Sequence, residues 1–339
     1  MSNSKNKTAL VIGANGGIGR EVTNALLCRG WHVRALVRKQ AKSTDRAPHH
    51  QIDWCIGDAM SSDDVLNAAR GTDVIVHAVN PPGYRNWEKL ALPMLDNTIR
   101  AAIVNKSRIV LPGTVYNFSP NVLDGLTEDS PQQPHTRKGI IRAKMEKRIY
   151  DATLQGARAL ILRAGDYFGA SAGNNWFSQC LVKPGRSISA ITYPGPKNIG
   201  HQWAYLPDVA ETMVRLLDHD DTIDNFARFH MEGHWDHDGM QMINAIRECL
   251  APQEVALRRL PWGFINLLRP FSSFCREVSE VRYLWQTESR MENSPLISVL
   301  GTEPHTDLND AVLATLTGLG CITPKQKSQT DPMSQIQPA

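Results

Sequence analysis

Short apolar runs alternate with stretches of helical spacing through the first half of the chain. The runs Thr8–Ile12, His32–Val37, Gln51–Ile56, Val74–Ala78, Arg108–Leu111 and Ala159–Arg163 have the length and β-branched content of strands. Between the first two, Ile18, Val22, Ala25 and Leu26 recur at helical spacing, and Gly30 ends that helix. Further helices are predicted at Asp63–Ala69, Glu88–Val104 and Gly139–Leu154, the last turning Ile140, Ile141, Met145 and Ile149 inward. Such alternation predicts a parallel sheet covered by helices on both faces.

Past about residue 170 the texture changes. A Gly/Pro loop, Tyr193-Pro-Gly-Pro-Lys, lies among a strand-like Ile188–Ile191, a helix beginning near Pro207 and a strand at Ala227–Met231. From Met240 to Gly320 the pattern is mainly helical. Its aromatics, Trp262, Phe264, Phe271, Phe274, Tyr283 and Trp285, suit either the lining of an apolar pocket or a plain helical core. After Cys321 the chain turns to Lys, Gln, Ser and Pro, a composition that cannot build a core and is expected to be disordered.

Composition narrows the partners. With 42% hydrophobic and 21% charged residues in 339, the chain is an ordinary folded protein. Its 37 basic and 34 acidic side chains nearly cancel, so the whole-chain charge gives no field that argues for nucleic acid or an anionic membrane. Six cysteines stand without CxxC or finger spacing and read as free thiols in a reducing compartment. There is no signal-like apolar segment at the N-terminus and no apolar run near the ~20 residues a membrane span needs. A cytoplasmic protein is expected, neither secreted nor membrane-spanning.

The chemistry is concentrated after the first strand. Gly13, Gly16 and Gly19 stand three residues apart, directly behind a strand and at the start of a helix, in Gly13-Ala-Asn15-Gly16-Gly17-Ile18-Gly19. That context fits a dinucleotide fingerprint: Gly13 allows a tight turn, Gly16 lets backbone approach a pyrophosphate, and Gly19 permits close helix–sheet packing. The fold class expected is therefore α/β, a Rossmann doubly wound parallel sheet over residues 1–170. A smaller, mainly helical C-terminal substrate region at 171–321 is interleaved with the last strands, and a tail follows at 322–339. At the end of the second strand, where an NAD-specific protein carries Asp or Glu, stand Arg38 and Lys39. A guanidinium there takes a 2′-phosphate and stacks on adenine, which points to NADP(H), unless the charge is simply solvated. Asp58 and Ala59 follow the third strand, and Ala78, Val79 and Asn80 follow the fourth with small residues and a chain break before Pro81.

Together with Thr114-Val-Tyr116 after the fifth strand, these motifs resemble the extended or atypical short-chain dehydrogenases/reductases, and within them the NAD-dependent epimerase/dehydratase group. The likeness continues through Leu162-Arg-Ala-Gly-Asp166-Tyr-Phe-Gly169 and Trp203-Ala-Tyr-Leu-Pro-Asp208, and so covers most of residues 8 to 235. It implies a Ser/Thr and a Tyr four residues before a Lys on one helix, the cation lowering the phenol's pKa for proton transfer. This chain departs from that set. Aligning Arg142-Ala-Lys144-Met-Glu146 on the family's helix leaves Lys144 in the lysine's place and puts Ile140 in the tyrosine's. Pro112 falls where the Ser stands, with Thr114 two residues on. The only literal YxxxK, Tyr193 to Lys197, encloses two prolines and cannot form a helical turn.

On the resemblance, Lys144 is the expected ligand of the nicotinamide ribose, and Lys144, Thr114, Tyr116 and Asp166 are the candidate catalytic groups, with Tyr84 and Tyr167 as further phenols. His77 reads as a packed strand residue. His230, His234 and His237 with Asp236 and Asp238 are explained by capping and solvation, so no metal is expected. An NADP(H)-dependent oxidoreductase or epimerase/dehydratase-like enzyme for a small organic carbonyl or alcohol is implied, as a monomer or a homodimer. The rival is a non-catalytic NADP(H)-binding sensor or regulator.

Overall fold

A computed structural model describes residues 7–39, 51–81, 87–171, 173 and 175–323. Tyr84 and the tail after residue 323 lie outside them. Seven strands form the central sheet: β1 (Thr8–Ile12), β2 (His32–Val37), β3 (Ile52–Ile56), β4 (Val74–His77), β5 (Arg108–Gly113), β6 (Arg158–Arg163) and the later β10 (Phe226–His230). They lie in the order β10-β6-β5-β4-β1-β2-β3, every pair parallel. Because β1 is followed outward by β2 on one side and β4 on the other, the order reverses at β1, and the carboxyl ends of β1 and β4 flank the crevice where such sheets bind ligands.

Helices cover both faces. On one face α1 (Gly17–Cys28) packs against α5 (Leu206–Asp218), with Val22, Leu26, Val209 and Met213 buried on Val11 and Val76. On the other, α2 (Ser62–Ala68), α3 (Trp87–Asn105) and α4 (Arg137–Thr153) bury Val65, Leu95, Ile141, Met145 and Ile149 on Leu10 and Ile75. The central strands, covered on both faces, read as near-continuous hydrocarbon, Ala9–Ile12 in β1 and Val74–Val76 in β4, which is why these runs are unbroken rather than alternating.

The smaller region is built from β7 (Asp166–Phe168), β8 (Ala190–Tyr193), β9 (His201–Tyr205), β11 (His234–Asp236) and β12 (Ala256–Arg259) in two small sheets, with α6 (Gln241–Leu250), α7 (Trp262–Leu268), α8 (Ser273–Glu280), α9 (Ser294–Leu300) and α10 (Leu308–Gly318). Its own core joins Phe168, Phe177, Trp203, Ile246, Trp285 and Val312. Of the late aromatics, Trp285 is core and stacks on His201 with ring centroids 3.9 Å apart, Trp262 and Tyr283 are partly buried, and Phe264 and Phe271 are exposed.

A buried polar network ties α4 to the sheet. The Arg163 guanidinium, fully buried, donates to both carboxylate oxygens of Glu146 at 3.1 and 2.6 Å, and to His230 Nε2 at 2.8 Å. Since Arg has no acceptor, His230 must carry its proton on Nδ1, which donates to Leu126 O at 3.1 Å. Burial and Arg163 push the His230 pKa down to about 3, and burial does the same to His77. Unfolded, both histidines take a proton below about pH 6.5, so between there and pH 3 the unfolded chain binds more protons. Stability rises with pH across that window and is lost as pH falls through it. The buried Glu128 carboxyl, whose pKa is raised by burial, works in the opposite sense near the carboxylate range. The thermal midpoint is expected to drop by at least about 5 °C between pH 7 and pH 5. A flat profile in scanning calorimetry would contradict the neutral-histidine assignment.

Candidate active site

The glycine loop has the geometry its spacing implies. Gly13 sits at φ +94°, and a Cβ there would stand 2.8 Å from the Ala78 backbone; at Gly19 it would stand 2.1 Å from Gly13 O. Both positions are closed to side chains by the fold itself. Gly16 differs: its nearest neighbour to a built Cβ is Gly13 O at 3.3 Å, so the space beside it is open. It caps α1 with no side chain accepting from the first turn, which leaves backbone N–H groups at the helix N-terminus for an anion. The residues present fit a dinucleotide pyrophosphate.

Gly13, Gly16, Gly17, Ile18, Ala78, Val79 and Asn80 line one cavity of about 830 Å³. Across it stand Thr114, Tyr116, Asp166 and Tyr167 at the carboxyl edge of β5 and in β7, and its far end is closed by Trp176, Leu260, Ile265, Val278 and Val281. Asn15 is exposed on the loop, and Gly19 is a packing residue. Arg38 and Lys39 are exposed where β2 ends. Asp58 turns its carboxylate back to the Met60 N–H at 2.9 Å, and Ala59 is buried with its carbonyl accepting from Asn97 at 2.9 Å. These last four lie off the cavity.

Lys144 is not at the site. It is half exposed and pairs with Glu88 of α3 at 2.6 Å, and Ile140 is 42% exposed on the same outer face. The residues of α4 that line the cavity are Lys138, Arg142 and Met145. The pair four residues apart on α4 that lines the cavity is Lys138 and Arg142, two positions earlier than the motif alignment put it. What fixes the rotation of α4 is Gly139, where a Cβ would stand 2.1 Å from Tyr116 O. Helix and loop touch backbone to backbone there, and Thr136 caps the helix by accepting from Gly139 N at 3.1 Å. In the place of the family's Tyr and Lys the chain thus presents Lys and Arg.

Lys138 is buried and donates to Glu277 O of α8 at 2.9 Å, with the Glu277 carboxylate 3.4 Å away. Burial pushes its pKa below the usual lysine range, and Glu277 opposes that. Arg142 lies 5.2 Å over the Trp87 ring, and its Nε is buried without a partner among the described residues. His77, which sequence reading left as a packing residue, also lines the cavity. Thr98 Oγ lies 2.8 Å from His77 Nδ1 and donates to Met94 O, so Nδ1 carries the proton and Nε2 is an acceptor, buried and unmatched among the described residues. Both atoms are the kind of buried polar group that a ligand satisfies.

The remaining candidates are placed as follows. Thr114 Oγ accepts from Tyr116 N at 3.4 Å. Asp166 is 3.0 Å from His201 Nε2. Tyr167 donates to Gly113 O at 3.1 Å, and burial raises its pKa to about 12, which holds the proton on the phenol. Of the His/Asp group after β10, Asp236 accepts from Gln241 N and Met242 N at the start of α6, a capping role.

Comparison with known proteins agrees with this geometry. Residues 13–144 match the family described as NAD(P)H-binding. Over that stretch the chain is similar to NAD(P)H-binding domains, and its fold as a whole is that of solved epimerase structures. A UDP-galactose 4-epimerase has the same fold with a TM-score of 0.70 at 15% identity, covering 93% of this chain and 98% of that one. The Thermus thermophilus UDP-glucose 4-epimerase in complex with NAD gives 0.68 at 17%, covering 92% and 98%. By sequence, the mouse sterol-4-alpha-carboxylate 3-dehydrogenase, decarboxylating, is 28% identical over 135 residues, 38% of this chain and 36% of that protein. The match thus spans about a third of the length of that dehydrogenase.

Proposed function

We propose that this protein is an NADP(H)-dependent oxidoreductase, of the epimerase/dehydratase kind, acting on a small organic carbonyl or alcohol. The observation that carries the reading is that the glycine loop, the end of β4 and the Lys138/Arg142 pair all open onto one cavity, whose far end is apolar. The backbone N–H groups at the start of α1 hold the pyrophosphate, and His77 Nε2 accepts from a ligand hydroxyl or amide. When bound, the nicotinamide supplies or accepts a hydride. Arg142, always charged, fixes a field that favours oxygen anions beside it, and Lys138 Nζ holds the proton that a reduced carbonyl oxygen needs. Thr114 and Tyr116 bring hydroxyls, and Asp166 a carboxylate, to the same space.

The preference for NADP(H) rests on Arg38. Replacing it with Ala is expected to weaken NADPH by roughly 1.5–3 kcal/mol, the worth of hydrogen bonds to a charged group, and to leave NADH almost unchanged. Equal losses for the two cofactors in a fluorescence titration would defeat the assignment. The departure of α4 from the Tyr–Lys pair favours one alternative, a non-catalytic NADP(H) sensor. Tight NADPH binding with no NADPH oxidation across a panel of aldehydes and ketones would decide for it.

A further inference from the structure

Helix α7 is apolar on every side. Trp262, Phe264, Ile265, Leu267 and Leu268 are five of its seven residues, a composition that ordinarily belongs to a helix buried all round. Only one side of α7 is covered. Trp262 donates to Pro194 O at 2.7 Å and Ile265 lines the cavity, while Phe264 is 61% and Leu267 70% exposed. Phe271, 88% exposed, follows at once, in the turn where its N–H donates to Leu268 O. Elsewhere among the described residues exposed large apolar side chains occur singly or in pairs, Ile56 with Met60 and Tyr150 with Leu154; here three fall within eight residues.

The exposed charge around them is mainly basic. Residues 254–280 hold Arg258, Arg259, Arg269 and Arg276, all exposed, against Glu254, exposed at the edge, Glu280, partly buried, and Glu277, buried against Arg137 and Lys138. The near-zero charge of the whole chain hides this local excess. We infer that the tip of the α7–α8 hairpin docks on an anionic lipid bilayer, Phe264, Leu267 and Phe271 entering the acyl boundary and the arginines meeting lipid phosphates. Exposed apolar side chains framed by arginine are what an interfacial helix requires. A second copy of the chain fits less well, because a two-fold interface would bring the same four arginines from both copies together, with Glu254 the one fully exposed acid at the edge of the segment. The docked hairpin is also a wall of the cavity, through Leu260, Ile265 and Val278, which puts the bilayer beside the site's apolar end.

The test is co-sedimentation of the full chain with vesicles of phosphatidylcholine alone and of phosphatidylcholine with phosphatidylglycerol, at low and high salt. Binding to the anionic vesicles, released by salt, is expected. Phe264→Ser, Leu267→Ser and Phe271→Ser together should weaken partition roughly a hundredfold, since large apolar surface no longer enters the bilayer. Arg258→Gln with Arg259→Gln should cost roughly fivefold per charge, on the anionic vesicles only. NADPH affinity, measured alongside, stays at the parent value because none of these side chains lines the cavity, and this separates the inference from the proposed function. No binding to anionic vesicles, or equal binding by the triple variant, would overturn it. So would a dimer in light scattering that the triple variant dissociates, which would assign the patch to a second copy.

Discussion

Gly16→Val should abolish NAD(P)H binding and leave the fold intact. A Cβ at position 16 meets nothing closer than Gly13 O at 3.3 Å, so the apo structure accepts the substitution with a shift of tenths of an ångström. The added methyls occupy the open space beside the N-terminus of α1, where the pyrophosphate must approach the backbone. Losing two hydrogen bonds to a charged group costs roughly 3–6 kcal/mol, or two to four decades in affinity. Gly19→Val is the contrasting variant: its Cβ would overlap Gly13 O at 2.1 Å, and the glycine loop and α1 cannot both keep their places. Circular dichroism and fluorescence titration on the pair check this. Gly16→Val with parent affinity for NADPH would mean that the loop does not hold the pyrophosphate.

The second large effect is at Lys138. Lys138→Arg keeps a cation against Glu277 but places there a group that does not release its proton in the accessible pH range. Turnover of carbonyl substrates should fall by about 10²- to 10⁴-fold, the usual worth of a positioned acid, while NADPH affinity and thermal midpoint change little. Lys138→Met is harsher. It removes one partner of a buried ion pair, for which a loss of about 3–5 kcal/mol is typical, moderated here because Arg137 also bonds Glu277. The pH profile gives an independent reading. Since burial lowers the Lys138 pKa, reduction in the parent should decline with rising pH before the ordinary lysine range is reached. Undiminished turnover by Lys138→Arg would place the proton elsewhere, with Thr114 and Tyr116 the nearest hydroxyls on the cavity wall. Lys144→Met, by contrast, should leave turnover unchanged, because Lys144 pairs with Glu88 on the outer surface and is not among the residues that line the cavity.

The sequence by itself determined the sheet, because strands covered on both faces must be unbroken hydrocarbon, and Leu10, Ile75, Ile109 and Ile161 could be recognised on that ground alone. It also determined the glycine loop, since the reasons for Gly13, Gly16 and Gly19 are local: a turn at positive φ, an anion's approach, and one backbone against its neighbour. His77 and helix α4 were different. His77 looks like any strand residue until Thr98, on a helix far along the chain, fixes its tautomer and leaves Nε2 facing the cavity. On α4, the apolar stripe was read as Ile140, Ile141, Met145 and Ile149, and counting Ile140 inward widened it towards Lys144, which the motif alignment chose. Tertiary contact decided it: Gly139 brings the helix backbone against Tyr116 O, which turns Lys138 and Arg142 inward and Ile140 and Lys144 out. Glu277, which holds Lys138 from α8, lies more than a hundred residues away in sequence, and no local pattern joins the two. Spacing along one element fixes which residues share a face; only packing against distant elements fixes where that face points.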